Sequence, residues 1–211
     1  GPPAALTLTN ATEFGTVYDP AQVARLAAIA KAAGMGVHID GARFANAVAA
    51  TGATPADLTW RAGVDLMSFG GTKNGCWVAE AIVVFEPGRY PYLANIRHRA
   101  GHGLSKQRFI AAQYEGYLAD GGWLRTAGHA NAMAARLAEG IARSNAARLD
   151  WPCAANEVFP VVSPEKVAEL RAAGAAFHEW ERLEDGQVRI RLVTSFMTSA
   201  DDVDRFLAIL G

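Results

Sequence analysis

The sequence predicts an α/β fold in which a mostly parallel sheet is flanked by helices and followed by a small C-terminal α+β domain. Short apolar runs at 36–40 and 64–69 alternate with stretches of helical spacing, and this order of strand and helix is typical of a parallel sheet. Hydrophobic residues make up 51% of the 211 residues, which is enough to bury a substantial core. After residue 145 the pattern changes to short strands between helices. We therefore expect two domains, residues 1–145 and 146–211.

The elements of the first domain follow from helix caps and apolar periodicity. Asp19 is a good N-cap and Pro20 suits the first helical position, so a helix is expected to begin here and to end at Gly34. The remaining elements expected before residue 90 are strands at 6–9, 36–40, 64–69 and 79–85, a helix at 44–50 and a short helix at 54–62.

Two long helices and a small α+β unit complete the prediction. The helices are expected from Ser105 to about Leu118 and from about Trp123 to Ser144. The smaller unit is expected to contain strands at 157–162, 175–180 and 188–193 and helices at 164–173 and 200–210.

Composition narrows the classes of partner. The formal net charge is −1 and charged residues make up 19%, so no basic surface for nucleic acid or an anionic membrane is indicated. No apolar run approaches the roughly 20 residues of a membrane-spanning helix. Cys76 and Cys153 are the only cysteines, in unlike contexts, which argues against a disulfide framework. We expect a soluble, cytoplasmic protein that acts on a small molecule.

The carboxyl ends of two predicted strands carry the strongest chemical signal. Val37 to Arg43 is an apolar run that ends in Asp40 and Arg43, and the strand at 64–69 runs into a glycine-rich turn that contains Lys73. In open α/β sheets such strand ends meet at one crevice, where ligands bind. A lysine, a carboxylate and an arginine at one edge suit pyridoxal phosphate (PLP), because the lysine can bind the cofactor and the carboxylate can pair with its pyridine nitrogen. An Asp40 that only caps the following helix is the structural alternative.

Lys73 lies in the segment Gly70-Gly71-Thr72-Lys73-Asn74-Gly75. The segment is not a phosphate-binding P-loop, because the spaced glycine and the Gly-Lys-Ser/Thr ending are absent. An ordinary solvated turn is the structural alternative. The apolar flanks favour a partly desolvated pocket, in which a lysine becomes a usable amine nucleophile.

For several other cationic residues and histidines, the sequence is compatible with either a structural or a functional role. His38 shares a strand face with Asp40, so it either orients Asp40 or is a hydrogen-bonded core histidine. The segment 97–108 is rich in cations and glycines and is either a solvated face or a phosphate contact. Arg189 and Arg191 share one face of a strand and could grip a carboxylate or lie exposed. Histidine, cysteine and acidic residues show no metal-ligand spacing, so no metal site is expected.

Taken together, HIDGARFANA (38–47), SFGGTKNG (68–75), RAGHGLSKQRF (99–109) and RLVTSF (191–196) resemble the low-specificity L-threonine aldolases, in the β-eliminating lyase group of fold-type-I PLP-dependent enzymes. The resemblance covers essentially the whole chain. It implies a fold-type-I, PLP-dependent transferase-like architecture. It also implies a lyase that cleaves L-threonine, L-allo-threonine and related β-hydroxy-α-amino acids to glycine and an aldehyde, in a homodimer or homotetramer.

The same resemblance assigns residues to roles. It implies Lys73 as the Schiff-base lysine and Asp40 as the partner of the pyridine nitrogen, with Arg43 and Arg191 holding the substrate carboxylate. His38, Arg43 and Thr72 are further candidates for cofactor contacts. Three residues match basic positions at the site mouth or near a neighbouring subunit: Arg99, Lys106 and Arg108.

Two departures from the family pattern keep alternatives open. Family members are considerably longer, and this sequence lacks their amino-terminal phosphate loop, a histidine stacked on the cofactor and early strands of the sheet. Thr12 stands where many relatives have a loop histidine, so the base for the β-hydroxyl proton is not assigned. The alternatives are a truncated, catalytically silent PLP-fold domain, or another fold-type-I lyase or transaminase.

Overall fold

The computed structural model describes all residues 1–211. Nine strands and seven α-helices follow one another along the chain. Their bounds are β1 (Ala5–Thr9), α1 (Pro20–Ala32), β2 (Gly36–Gly41), α2 (Phe44–Thr51), β3 (Leu66–Gly70), β4 (Glu80–Val84), α3 (Leu93–Arg99), α4 (Arg108–Leu118), α5 (Gly122–Arg143), β5 (Ala147–Leu149), β6 (Glu157–Val158), β7 (Pro160–Val162), α6 (Pro164–Ala172), β8 (His178–Arg182), β9 (Val188–Val193) and α7 (Ala200–Leu210).

The first sheet has the strand order β1-β2-β3-β4. β1, β2 and β3 are parallel, with Thr9 opposite Asp40 and Asp40 opposite Ser68. β1 and β2 are each followed by a crossover that contains a helix, as parallel pairing requires. β4 returns antiparallel to β3 after a connection too short for a crossover helix. The predicted mostly parallel sheet is therefore confirmed.

This chain covers only one face of the first sheet thoroughly. Burial alternates along β2, so that Val37 and Ile39 are buried while His38 and Asp40 are half-buried. The buried face packs against α1 and α2 through residues that include Val23 and Phe44. The opposite face carries the polar side chains that sequence analysis selected.

The second sheet is antiparallel, with the order β5-β7-β9-β6 and β8 paired to β9. Its buried face packs against three helices, through Ile141 of α5, Leu170 of α6 and Leu210 of α7. This is the small α+β unit that the sequence predicted.

α5 contributes to both cores. Trp123 and Leu124 in its first turn pack against the core of the first sheet, whereas Leu137 and Ile141 belong to the core of the second. The division into residues 1–145 and 146–211 stays our proposal, and it would place the boundary just after this shared helix.

The structure agrees with the predicted helix start at Asp19 and differs from prediction elsewhere. The Asp19 carboxylate accepts the N–H of Gln22 at 2.7 Å, and the Gln22 side chain accepts the N–H of Asp19 at 2.9 Å, which forms a capping box. The expected helix at 54–62 is a series of turns ending in the 3₁₀ segment Trp60–Ala62, closed by Gly63 at φ 92°. α3 and β5 were not predicted, because elements of seven and three residues are too short to show a periodicity. No helix combines the length and the hydropathy needed to cross a membrane.

Candidate functional site

Asp40 lies at the carboxyl end of β2, on the partly exposed sheet face. Its Oδ1 accepts the N–H of Ala42 at 3.0 Å, which leaves Oδ2 open to another donor. Its main-chain oxygen accepts the N–H of Asn10 at 3.0 Å. α2 begins at Phe44 and has Arg43 at its N-cap position, with no side-chain cap hydrogen bond. Asp40 therefore shapes the turn after β2 and does not cap the helix.

His38 shares the face of Asp40, as predicted, but it hydrogen-bonds elsewhere. Its Nε2 lies 2.8 Å from Ser68 Oγ on β3, and its Nδ1 lies 3.4 Å from Thr7 Oγ1 on β1. Burial lowers the pKa of His38, and the nearby charge of Asp40 opposes that shift only in part. Of the two alternatives for His38, the structure supports the hydrogen-bonded histidine within the sheet over one that orients Asp40.

Lys73 occupies the 3₁₀ turn Thr72–Asn74 that follows β3. The turn is anchored from both sides of Lys73. Asn74 Nδ2 donates to Tyr117 Oη at 2.7 Å and to the main-chain oxygen of Trp123 at 2.8 Å, and Thr72 Oγ1 accepts the N–H of Ala79 at 3.1 Å. The lysine itself is exposed. The predicted partly desolvated pocket around Lys73 is therefore wrong for this chain.

Asn74 and Tyr117 are supporting residues that sequence analysis did not select. Both are buried, at 5% and 8% exposure. Burial raises the pKa of Tyr117 to about 12, so its hydroxyl stays protonated as a hydrogen-bonding group. The signal in the sequence was the polar Asn74 beside Lys73, but its partner lies in α4 and could not be found from the motif alone.

Close backbone packing brings the turn after β2 against the end of β3. A Cβ at Gly70 would lie 2.9 Å from the Ala42 main chain, and a Cβ at Gly41 would lie 2.5 Å from the Ser68 oxygen. Only glycine fits at such distances. The segment carrying Asp40 and Arg43 thus lies against the strand that leads to Lys73, as the convergence of parallel strand ends predicted.

Arg43, in the turn after β2, meets Arg191 of β9 in the second sheet. Arg43 Nη2 lies 2.7 Å from Glu157 Oε1, and Arg191 Nη2 pairs with the same oxygen. Glu157 is 1% exposed, and the arginine side chains are 10% and 24% exposed. We call Arg43, Arg191 and Glu157 the Glu157 cluster.

The register of the second sheet explains why Glu157 reaches Arg191. Glu157 of β6 pairs with Val193 of the antiparallel β9. Arg191, two residues from Val193, points to the same face and is the diagonal neighbour of Glu157. Sequence analysis missed Glu157. The available signal was a carboxylate that immediately precedes the apolar stretch Val158–Val162.

Three polar atoms of the Glu157 cluster are buried without a hydrogen-bond partner. They are Arg43 Nε, Arg191 Nε and Glu157 Oε2. Burial lowers the pKa of Arg43. The charge of Glu157 counteracts this shift, and the charge of Arg191 reinforces it. Buried polar groups are almost always satisfied. The unpartnered Nε–H donors of these two guanidinium groups therefore indicate an anion-binding position.

Arg189 takes no part in this cluster. Its Nε donates to Asp150 Oδ2 at 2.9 Å, it also pairs with Glu181, and its guanidinium lies 5.0 Å from the Trp151 ring. Arg189 and Arg191 share a strand face as predicted, but only Arg191 reaches the end of the first sheet.

Thr12 lies in a loop that is closed by its own hydrogen bonds. Its Oγ1 accepts the N–H groups of Phe14 and Thr16 at 3.3 and 3.2 Å and lies 2.7 Å from Thr16 Oγ1. The hydroxyl is therefore already engaged at the position where relatives have a histidine.

The basic segment 97–108 lies on the surface. Arg99, Lys106 and Arg108 are exposed, and Arg108 stacks over the Phe109 ring at 4.6 Å. None of the three pairs with the strand-end residues. Their assignment to a site mouth or a neighbouring subunit stays a prediction.

A cofactor of the PLP type fits the residues present. The turn after β3 offers a free amine at Lys73, and the adjoining turn offers the open Oδ2 of Asp40. The Glu157 cluster offers the two unpartnered Nε–H groups to a carboxylate.

Comparison with known proteins identifies relatives along the whole chain. The family model of the β-eliminating lyases matches residues 2–163. A low specificity L-threonine aldolase of Pseudomonas aeruginosa is 43% identical over 204 residues, which cover 96% of this chain and 57% of that protein. A low specificity L-threonine aldolase of a Pseudomonas species is 43% identical over 176 residues, which cover 83% of this chain and 51% of that protein.

A solved structure of a threonine aldolase from Leishmania major superimposes with a TM-score of 0.91 at 28% identity. The superposition covers 99% of this chain and 60% of that one. The predicted fold-type-I class is thereby confirmed. The chain spans little more than half the length of the curated relatives it matches.

Proposed function

The chain belongs to the β-eliminating lyase family, and on that premise we propose that the complete protein is a PLP-dependent aldolase. It cleaves L-threonine, L-allo-threonine and related β-hydroxy-α-amino acids to glycine and an aldehyde. The substrate class is supported by the curated relatives, which are low specificity L-threonine aldolases.

The observation that carries this proposal is the meeting of Arg43 and Arg191. The family resemblance implies that both arginines hold the substrate carboxylate, and their guanidinium groups contact one oxygen of Glu157 from the turn after β2 and from β9. Each retains a buried, unpartnered Nε–H. A planar guanidinium pair with free donors suits an α-carboxylate.

The other residues have roles at the strand ends. Lys73 supplies the amine that binds the cofactor, and its turn is held by Asn74 and Thr72. Asp40 pairs with the pyridine nitrogen and keeps it protonated, since opposite charges favour both ionised forms. His38 stands beside Asp40 as an additional contact to the cofactor.

When bound, PLP supplies the electron sink that accepts the electron pair of the broken Cα–Cβ bond. The chain's own residues bind and orient the substrate and the cofactor. Arg43 and Arg191 hold the carboxylate end of the substrate, and Asp40 supplies the fixed negative charge that the ring requires.

We also propose that the complete protein is a homodimer or homotetramer. Large apolar side chains that this chain leaves exposed support a further protein contact, among them Trp77 at 87%, Tyr92 at 71% and Phe109 at 61%. Light scattering of the complete protein measures its mass, and a monomer would contradict this part of the proposal.

The absorption spectrum of the complete protein with added PLP tests the function. We expect a visible band that depends on Lys73 and that borohydride converts to a covalent adduct. Lys73→Ala should lose the band and the cleavage of L-threonine. Lys166→Ala is the matched control, because Lys166 pairs with Glu169 in the small domain.

Loss of the band in both lysine variants, or in neither, would contradict the role of Lys73. A wild-type band without cleavage of L-threonine or L-allo-threonine would favour another lyase or a transaminase. No wild-type band would refute the PLP enzyme.

A further inference from the structure

We propose that Glu157 sets the charge of the carboxylate-binding site, so that the site accepts one carboxylate and disfavours a second anionic group on the same ligand. This inference rests on the proposed function, because it assigns Arg43 and Arg191 to a substrate carboxylate. Glu157 is a positioning residue and a determinant of specificity. It acts through the two arginines.

The shared oxygen positions the guanidinium groups. Glu157 Oε1 contacts Nη2 of Arg43 and Nη2 of Arg191, and without it two like charges would face each other in a buried place. The backbone around Glu157 is fixed independently. Asn156 Nδ2 donates to the Thr194 oxygen at 2.8 Å, and the Thr194 N–H donates to the Asn156 oxygen at 3.0 Å. The carboxylate is thus held by its strand and can hold the arginines in turn.

The unpartnered atoms of the cluster indicate which ligand groups can satisfy them. Arg43 Nε and Arg191 Nε can each donate a hydrogen bond to a carboxylate, whereas Glu157 Oε2 is an acceptor that needs a donor. A second carboxylate brings only acceptors, so it would face Oε2 without a hydrogen bond.

The charge balance leads to the same conclusion. Two guanidinium groups and one carboxylate leave a net charge of +1 in the cluster, which one bound carboxylate neutralises. A second carboxylate would then lose its hydration without a compensating cation. Removal of the Glu157 charge leaves one positive charge free for it.

Binding of simple carboxylates to the complete, PLP-loaded protein tests the inference. Propionate carries one carboxylate and succinate carries two, and neither has an amine that could react with the cofactor. Isothermal calorimetry gives a Kd for each. We expect Glu157→Gln to strengthen succinate binding about tenfold relative to propionate, the size of one charge interaction over roughly 12 Å at an effective dielectric constant of about 20.

Two variants complete the design. Arg191→Met should weaken both ligands, which places their binding at the cluster. Asp65→Asn is the matched control, because Asp65 is also a buried carboxylate between two cations. It should leave the ratio of the two Kd values unchanged. An unchanged ratio in Glu157→Gln, or an equal change in Asp65→Asn, would overturn the inference.

The wild-type protein gives a second measurement that does not depend on the folding of any variant. Monomethyl succinate has nearly the shape of succinate but a single charge. We expect it to bind at least as tightly as succinate, and a clear preference for succinate would contradict the charge-setting role. The visible band of the cofactor is read in the same samples. Its absence would refute the proposed function, whereas the ratio of Kd values tests Glu157 alone.

Discussion

Two buried carboxylates of this protein each contact two cations, and they differ in what they leave open. Asp65 lies at the amino end of β3 and pairs with Lys31 and Arg89 through Oδ1, while its Oδ2 accepts the Val37 N–H at 2.7 Å. Glu157 binds two arginines through one oxygen and leaves the other without a partner.

The difference separates a structural cluster from a binding cluster. Every oxygen of the Asp65 carboxylate is satisfied, and the surrounding main-chain bonds join the amino ends of β2 and β3. The Glu157 cluster lies beside the carboxyl ends of the strands, where α/β sheets bind ligands. The two carboxylates are similarly buried and each contacts two cations, so unsatisfied donors and location are what indicate function.

Asp65→Ala should have the largest effect on stability and test the structural side of the comparison. It leaves the Val37 N–H and two cations without their acceptor. We expect a loss of about 3 kcal/mol in the free energy of unfolding, measured by urea denaturation of the complete protein. Asp57→Ala removes an exposed carboxylate that pairs with Arg61 and serves as the control. Equal losses in the two variants would contradict the structural role of Asp65.

Glu157→Gln should have the second-largest effect, a loss of about 2 kcal/mol in the free energy of unfolding, because the amide keeps the shape of the carboxylate but not its charge. The loss should shrink when propionate is present, since removal of the Glu157 charge makes the cluster more positive and propionate then stabilises the folded variant more than the folded wild type. Unfolding in urea with and without propionate measures this. A loss that propionate does not reduce would make the Glu157 cluster purely structural, like that of Asp65.

The pH dependence of stability should show that the ionised form of Asp65 stabilises the fold. Burial alone would raise the pKa of this carboxyl, but the hydrogen bonds from Lys31 and Val37 hold it below its usual value. A depressed pKa contributes stability that is fully present above the unfolded value of about 3.9 and is lost as the pH falls through the folded value. The difference in Tm between wild type and Asp65→Asn should therefore narrow below about pH 4. A difference that stays constant down to pH 2 would contradict this assignment.

The smallest effect is expected at an exposed ion pair, which provides the baseline. Arg136 forms a two-bond pair with Asp204 at 2.8 and 2.7 Å, but about half of each side chain is exposed. Solvent and salt screen such pairs. Arg136→Ala should leave Tm unchanged within error in calorimetry. A drop as large as that of Asp65→Ala would show that burial does not explain the ranking.

Much of the fold was readable from local patterns. The helix start at Asp19, the strands β2 and β9 and the helix α7 follow from caps and periodicity that lie within each element. The segment 54–62 forms turns and not the predicted helix, because Thr54 and Pro55 suit turns as well as a helix start.

The sequence by itself determined the fold class and the strand ends that bear Asp40, Arg43 and Lys73, because these depend on the spacing of residues along one strand and turn. Tertiary structure alone decided that His38 bonds to Ser68, that Lys73 is exposed, and that Arg43 meets Arg191 at Glu157. Those contacts depend on strand register and on packing between two sheets. Such pairing is set by which faces are buried together, and no pattern within one segment records it.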